Sequence, residues 1–153
     1  MSAGCTARAE AGYGSGEQRS IRKLAKAILA LEVLFSQLKP GDGSAREQAA
    51  SCQKVLGGWA NIANEYATKR YRSNLINWGM LPFLIPAGDL PFVNGDYLFF
   101  PEIRKAVEEK ADCITGYVVK ESGLVPFTVT LGELTDDERE IILKGCLINY
   151  NRK

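Results

Sequence analysis

A glycine-rich break between two regular segments constrains this chain more than any other feature. Residues 32–38 are rich in apolar, β-branched and aromatic side chains, and although periodicity alone does not separate strand from helix here, we predict a buried strand. Pro40-Gly41-Asp42-Gly43 ends that segment. Ser44 and Glu47 then form a capping-box pattern, which predicts a helix from Ser44 to the glycine pair at 57–58.

The rest of the chain continues this alternation of helices and strands. A second capping-box pattern, Thr135 with Glu138, predicts a last helix that ends before Gly145. The other predicted elements are a helix ending near residue 30, a helix at 64–78, a β-like segment around Pro82, a helix at 102–109, and strands at 59–62, 96–100, 114–120 and 125–131. Such alternation is typical of the α/β or α+β classes.

Composition excludes several kinds of function. The chain has 153 residues and no histidine, so Ser-His-Asp or Cys-His catalysis and zinc sites that use histidine are excluded within it. A formal net charge of +1 gives no general attraction to nucleic acid or to an anionic membrane. No apolar run is long enough to span a bilayer, and residues 1–20 lack the apolar core of a signal peptide. We therefore expect a mobile tail at 1–20 and one domain at 21–153, with no membrane partner.

The cysteines point to the cytoplasm. Cys5, Cys52, Cys113 and Cys146 include no C-x-x-C pair, and four scattered cysteines in an ordinary globular composition predict reduced thiols in a cytoplasmic protein. The clustered spacing that a zinc or iron–sulfur site requires is missing. We expect no metal to be bound by this chain.

The segment Gly41–Glu47 carries the most specific chemistry. Glycines let the backbone approach a ligand closely, and the start of a helix offers unpaired amides and a positive dipole to an anion. Ser44 adds a hydroxyl there, and the guanidinium of Arg46 can grip a carboxylate with two hydrogen bonds. From composition alone, the simpler interpretation is favoured, in which the loop only starts a helix and Arg46 is a solvated surface residue.

The residues of this loop resemble a known signature. Gly43-Ser44-Ala45-Arg46-Glu47-Gln48-Ala49-Ala50 is similar to the GSSREHAA motif in the swivel domain of the aconitase and isopropylmalate isomerase family. The resemblance extends over roughly residues 38–150 and is closest to the hydratases of that family; its other segments are Leu56-Gly57-Gly58-Trp59-Ala60-Asn61-Ile62, Tyr66 to Asn74, Asn77-Trp78-Gly79-Met80-Leu81-Pro82-Phe83, and Leu134 to Tyr150.

The resemblance implies a fold and a function. The expected fold is an α/β swivel domain, with a mixed β-sheet or barrel-like core and flanking helices. The implied function is the substrate-binding, proton-abstracting half of an iron–sulfur hydro-lyase that dehydrates and rehydrates a hydroxy-di- or tricarboxylate. Ser44 would be the catalytic base, and Arg46, with the backbone at Gly43 and Ala45, would bind a substrate carboxylate. A [4Fe-4S] cluster would lie on a larger partner domain or subunit of the same enzyme, with none bound by this chain.

The sequence also departs from the family pattern. Ala45 and Gln48 stand where the motif has serine and histidine, and residues 1–40 lack the expected upstream substrate-binding segment. These departures are compatible with a partial domain, and we expect the isolated chain to be inactive. The alternative is a non-catalytic binding or regulatory fragment that keeps the swivel fold. A third hypothesis, RNA binding through the basic segment 69–72, has the near-neutral charge against it.

Overall fold

The computed structural model describes residues 32–36 and 39–152, and for 32–36 it describes the backbone only. The tail predicted at 1–20 and the helix predicted to end near residue 30 lie outside the described residues. The division of the chain into a tail and one domain therefore stays a prediction.

The first half of the described chain forms a parallel sheet with two crossover helices. The two helices pack on each other. The elements, in chain order, are β1 (Glu32–Ser36), α1 (Arg46–Val55), β2 (Gly58–Ala63), α2 (Lys69–Asn77) and β3 (Leu81–Leu84). Both strand pairs, β1 with β2 and β2 with β3, are parallel.

The second half forms an antiparallel sheet and three short helices. Lys120 pairs with Gly123 and closes a tight hairpin between the two longest strands of this sheet. Pro126 lies on the edge strand, where the missing backbone amide breaks no hydrogen bond between central strands. The elements are β4 (Tyr97–Phe99), α3 (Ile103–Glu108), β5 (Ile114–Lys120), β6 (Gly123–Val129), α4 (Asp136–Lys144) and α5 (Leu147–Asn151). None of these helices or the two before them is long and apolar enough to cross a membrane, within the residues described.

The two sheets share one hydrophobic core. Ile62 and Phe83 of the parallel sheet are fully buried together with Val118 and Val129 of the antiparallel sheet. A backbone bridge between Leu84 and Thr130 joins the sheets directly. The fold class predicted from the sequence, α/β with mixed strands and flanking helices, is confirmed. Among the described strands, neither sheet closes into a barrel.

Candidate functional site

The glycine loop lies at the carboxyl edge of the parallel sheet. Residues 39–45 connect the end of β1 to α1, at the edge where β2 and β3 also end. The side-chain amide of Asn64 donates to the carbonyls of Ile85 and Pro86, at 3.1 and 3.2 Å, and so links the exits of these two strands. In open α/β sheets, ligands bind outside the carboxyl ends of the strands.

Gly41 fixes this loop against the start of α2. Its φ of +90° belongs to the left-handed region that favours glycine, and a Cβ at this position would overlap the side chain of Tyr71. Its carbonyl accepts hydrogen bonds from Arg46 Nε at 3.0 Å and from Thr68 Oγ1 at 3.4 Å. The preceding carbonyl, of Pro40, accepts from the amide of Ala67 at 3.1 Å. The loop is therefore held at two successive carbonyls.

The predicted cap on α1 is wrong. The cap residue is Ala45, with φ −85° and ψ 48°, and no side chain accepts a hydrogen bond from the first turn. Ser44 thus lies one residue outside the helix start, where its hydroxyl does not reach the amides that a capping serine would satisfy. The predicted box with Glu47 is not formed, and Ser44 is exposed.

All four residues predicted for the site lie at this one junction. Gly43, Ser44 and Ala45 are exposed, and Arg46, the first residue of α1, is half-buried. The first amides of α1 have no partner within the helix, and the positive end of the helix dipole also lies at this junction. Hydroxyl, guanidinium and free amides together give the junction the chemistry of a carboxylate-binding site.

A buried polar cluster, not predicted from the sequence, lies beneath the loop. Gln53 Nε2 donates to the hydroxyl of Tyr71 at 2.9 Å, and Gln53 Oε1 accepts from Asn61 Nδ2 at 3.3 Å. The Tyr66 hydroxyl bonds the carbonyls of Asn61 and Phe83, both at 3.1 Å. An asparagine in the middle of an apolar strand was the signal for this cluster, because a buried amide requires partners.

Burial raises the pKa of both tyrosine hydroxyls in this cluster. Loss of solvation raises the pKa of the Tyr66 hydroxyl far above its ordinary value, and the nearby Tyr71 raises it further. Burial also raises the pKa of Tyr71, against a smaller opposite effect of its hydrogen bond with Gln53. The cluster therefore supplies fixed dipoles and no charge near neutral pH.

The basic segment on α2 does not form an open basic surface. Tyr71 is buried, and the guanidinium of Arg72 donates to the carbonyls of Leu131 and Glu133, at 2.9 and 2.8 Å. Only Lys69 and Arg70 are exposed. The RNA-binding hypothesis needs an exposed aromatic ring and three exposed cations. Tyr71 and Arg72 are instead in contact with the rest of the fold.

The described residues offer no place for a metal cluster. No three His, Cys, Asp or Glu side chains among them lie close enough to hold a metal ion. Cys52 and Cys146 are free thiols, as predicted, but Cys113 is disulfide-bonded, so the prediction of four reduced thiols is wrong at that position.

A shallow cleft of about 220 Å³ lies away from the loop, between α3 and α4. No residue of the glycine loop lines this cleft. Its charged residues carry both signs and are Glu108, Lys110, Asp136, Arg139 and Glu140. Lys110 and Asp136 neutralise each other in an ion pair of 2.5 Å. The cleft therefore has no excess positive charge for an anionic substrate, and the glycine loop remains the candidate site.

A family model agrees with the sequence resemblance over part of the chain. The model of the family described as "Aconitase C-terminal domain" matches residues 31–88, which contain the whole loop and its supporting helices. A similar solved structure is 3-isopropylmalate dehydratase (leuD) from Methanocaldococcus jannaschii, with 27% identity and a TM-score of 0.48 over 77% of this chain. This chain covers 61% of that protein's chain. No curated protein matches. Residues 31–88 of this chain are thus similar to the aconitase C-terminal domain family.

Proposed function

We propose that this chain is the substrate-binding and proton-abstracting part of an iron–sulfur hydro-lyase. Its substrate would be a hydroxy-di- or tricarboxylate, and its partner a larger, cluster-bearing domain or subunit in the cytoplasm. The observation that carries the proposal is the junction of the glycine loop with α1, which lies inside the segment that matches the aconitase C-terminal domain. There an arginine, a serine hydroxyl and free helix amides occupy one edge of a parallel sheet.

Arg46 would bind the carboxylate next to the reacting carbon. Its guanidinium is planar and always charged, which suits bidentate hydrogen bonding to a carboxylate. The amides near Gly43 and Ala45 would bind the second oxygen, assisted by the positive end of the α1 dipole. Charge neutralisation by Arg46 makes the neighbouring C–H bond easier to ionise, because the electron pair left on carbon is delocalised toward the bound carboxylate.

Ser44 would take the proton from that carbon. A serine hydroxyl is a weak base, and an alkoxide at Ser44 needs positive charge and donors nearby. Two facts support this role: Ser44 is exposed, and it lies two residues before Arg46, the first residue of α1. The proton passes from the substrate carbon to Ser44 Oγ, and the electron pair forms the double bond as the hydroxyl group departs.

A [4Fe-4S] cluster on the partner would supply Lewis-acid assistance to the departing hydroxyl. In this proposal the partner supplies the ligands of the cluster, and among the described residues no three metal-ligating side chains lie close together. This chain's contribution is confined to binding, orientation and proton transfer. The isolated chain is expected to have no turnover.

The experiment is an anaerobic affinity purification of the tagged chain from its native cell, followed by iron analysis and a hydration assay with unsaturated di- and tricarboxylic acids. In the recovered complex, Ser44→Ala should lower kcat by about 100-fold or more, as loss of a general base does. Arg46→Lys should raise KM. Ser51→Ala and Arg70→Lys are matched controls, since Ser51 bonds only its own helix and Arg70 is exposed.

Two results would contradict the proposal. One is an iron-containing complex in which Ser44→Ala turns over like Ser51→Ala. The other is a colourless chain recovered alone, which would favour the alternative, a non-catalytic binding or regulatory fragment. Ala45 and Gln48 are the observation that favours that alternative, because they depart from the family motif at the site itself.

A further inference from the structure

The carbonyl of Gly41 is shared by donors from two different helices. Arg46 Nε of α1 reaches it at 3.0 Å, and Thr68 Oγ1, at the start of α2, reaches it at 3.4 Å. We propose that Thr68 is a positioning residue: through Gly41 it holds the guanidinium of Arg46 in the orientation that receives a carboxylate. This inference rests on the function proposed above for Arg46.

The bond to Gly41 uses one particular edge of the guanidinium. Arg46 has five N–H groups in one plane, and its Nε–H points at the Gly41 carbonyl. Four N–H groups on the two terminal nitrogens are left for a ligand. Because the group is planar, fixing Nε fixes the direction of the whole fork, so the position of one backbone carbonyl decides where Arg46 presents its terminal edge.

That carbonyl has little freedom to move. Gly41 has a left-handed φ, and its Cα lies close to the Tyr71 side chain. Both features restrict the rotation of its peptide group. The bond from the Ala67 amide to the Pro40 carbonyl holds the preceding peptide. The Thr68 hydroxyl then binds the Gly41 oxygen itself and completes this support. Removing that hydroxyl leaves the oxygen with Arg46 as its only side-chain donor among these residues.

The residues that support the loop are also hydrogen-bonded to α1. Tyr71, on which Gly41 rests, receives a hydrogen bond from Gln53, two turns along the helix that Arg46 begins. Arg46 and Gln53 therefore connect the same helix to α2 at two points, one through the loop and one directly. A partly buried chain of hydrogen bonds of this kind restricts side-chain rotation more than a surface contact does.

Thr68 has a second role that the experiment must separate. Its Oγ1 also accepts the amide hydrogen of Tyr71, at 3.2 Å, and so caps α2. A substitution that removes the hydroxyl therefore weakens both the cap and the support of Gly41. Thr135 provides a matched control, because it caps α4 in the same way, through the Glu138 amide, with no contact to the loop.

The test measures water exchange of the Arg46 Nε–H in the full-length chain by NMR, with the exposed Arg70 as internal reference. In the wild type, Arg46 should exchange more slowly than Arg70. Thr68→Val should speed the exchange of Arg46 and weaken binding of succinate, used as a dicarboxylate probe, by about threefold to tenfold, the range for one hydrogen bond. Thr68→Ser should restore both. Thr135→Val should lower Tm and leave both unchanged.

The outcomes distinguish this inference from the proposed function. Unchanged Arg46 exchange in Thr68→Val, or an equal effect of Thr135→Val, would overturn the positioning role. If Thr68→Val does not fold, the wild type still tests the positioning role. An Arg46 Nε–H that exchanges with water as fast as the Arg70 Nε–H in the wild type would overturn it. If the exchange results are as expected but the wild type does not bind succinate, the positioning role stands and the carboxylate-binding function of Arg46 fails.

Discussion

Lys54 is subject to opposing effects at the end of α1. Its ammonium lies 3.6 Å from the centroid of the Trp59 ring, a cation–π contact that favours the charged form. The same nitrogen is buried without a hydrogen-bond partner. Burial lowers the pKa of Lys54, and the electrostatic effect of Cys146, which raises it, is smaller. Desolvation therefore dominates, and the positive charge is held at a cost to the folded state.

This predicts a pH-dependent effect of Lys54→Met, which keeps a flexible, polarisable chain over Trp59 but removes the charge. Because the pKa of Lys54 is lower when folded than when unfolded, the cost is fully present below the folded pKa. It disappears as pH rises toward 10.5, the unfolded value. The wild type should therefore gain stability relative to Lys54→Met between pH 7 and about pH 10. Urea midpoints of both proteins at the two pH values measure this.

The two proteins share every other titrating group, so the change in their difference isolates Lys54. The expected change is small, since Lys54 is only partly buried and solvent screens its charge. A difference between the two midpoints that is the same at both pH values would show that desolvation does not dominate at this position.

At the scale of the element, two identical capping patterns have different outcomes. Thr135 accepts the amide of Glu138 at 3.2 Å, and Glu138 Oε2 accepts the amide of Thr135 at 2.9 Å, so the box on α4 is complete. The Ser44 pattern is not formed, because Arg46 begins α1 one residue later than the pattern predicts. The same type of sequence pattern thus stabilises one helix and leaves the Ser44 hydroxyl without a capping bond at the other.

The stabilities of two alanine variants should reflect this difference. Thr135→Ala should lower the free energy of unfolding by about 1 kcal/mol, the usual value of a threonine cap. Ser44→Ala should change it by less than about 0.5 kcal/mol, as exposed substitutions do. Chemical denaturation of the two variants and the wild type measures both. An equal loss in the two would mean that Ser44 caps α1 in solution.

The sequence was a good guide to elements whose signals are local. The strand at 114–120 and the capping box at Thr135 have the bounds that alternation and spacing predict. The helix predicted at 64–78 begins only at Lys69, because Asn64 and Ala67 bond to the exits of other segments and Thr68 caps the helix. Those partners are distant in sequence, and no local pattern encodes them.

The same limit applies to the candidate site. Its four residues come from one contiguous motif, so they are neighbours in the chain in any case, and their roles stay a prediction. The support of that motif was not found, because Gln53, Tyr71 and Gly41 meet only after α1 and α2 have packed. The basic segment 69–72 predicts an exposed surface at Tyr71, but Tyr71 is buried.

At the scale of the whole molecule, a backbone contact between two helix ends joins the two halves in addition to the bridge between the sheets. An ideal Cβ on Gly79, just after α2, would overlap the carbonyl of Gly145, just after α4. Both glycines have positive φ, 67° and 88°. The end of the helix that supports the loop is thus in backbone contact with the end of a helix from the antiparallel half. A side chain at Gly79 cannot be accommodated without separating these two helix ends.

Gly79→Ala should therefore destabilise the molecule more than a change of backbone preference alone explains. Gly57→Ala is the matched control, since Gly57 has φ +99° and open space around it. The control should cost about 1–2 kcal/mol, the penalty for a left-handed residue with a Cβ. Gly79→Ala should cost about 1–3 kcal/mol more, the usual range for overpacking. Urea unfolding followed by tryptophan fluorescence compares them directly. Equal losses would mean that the two halves are not held by this contact, and that α2 can support the glycine loop without α4.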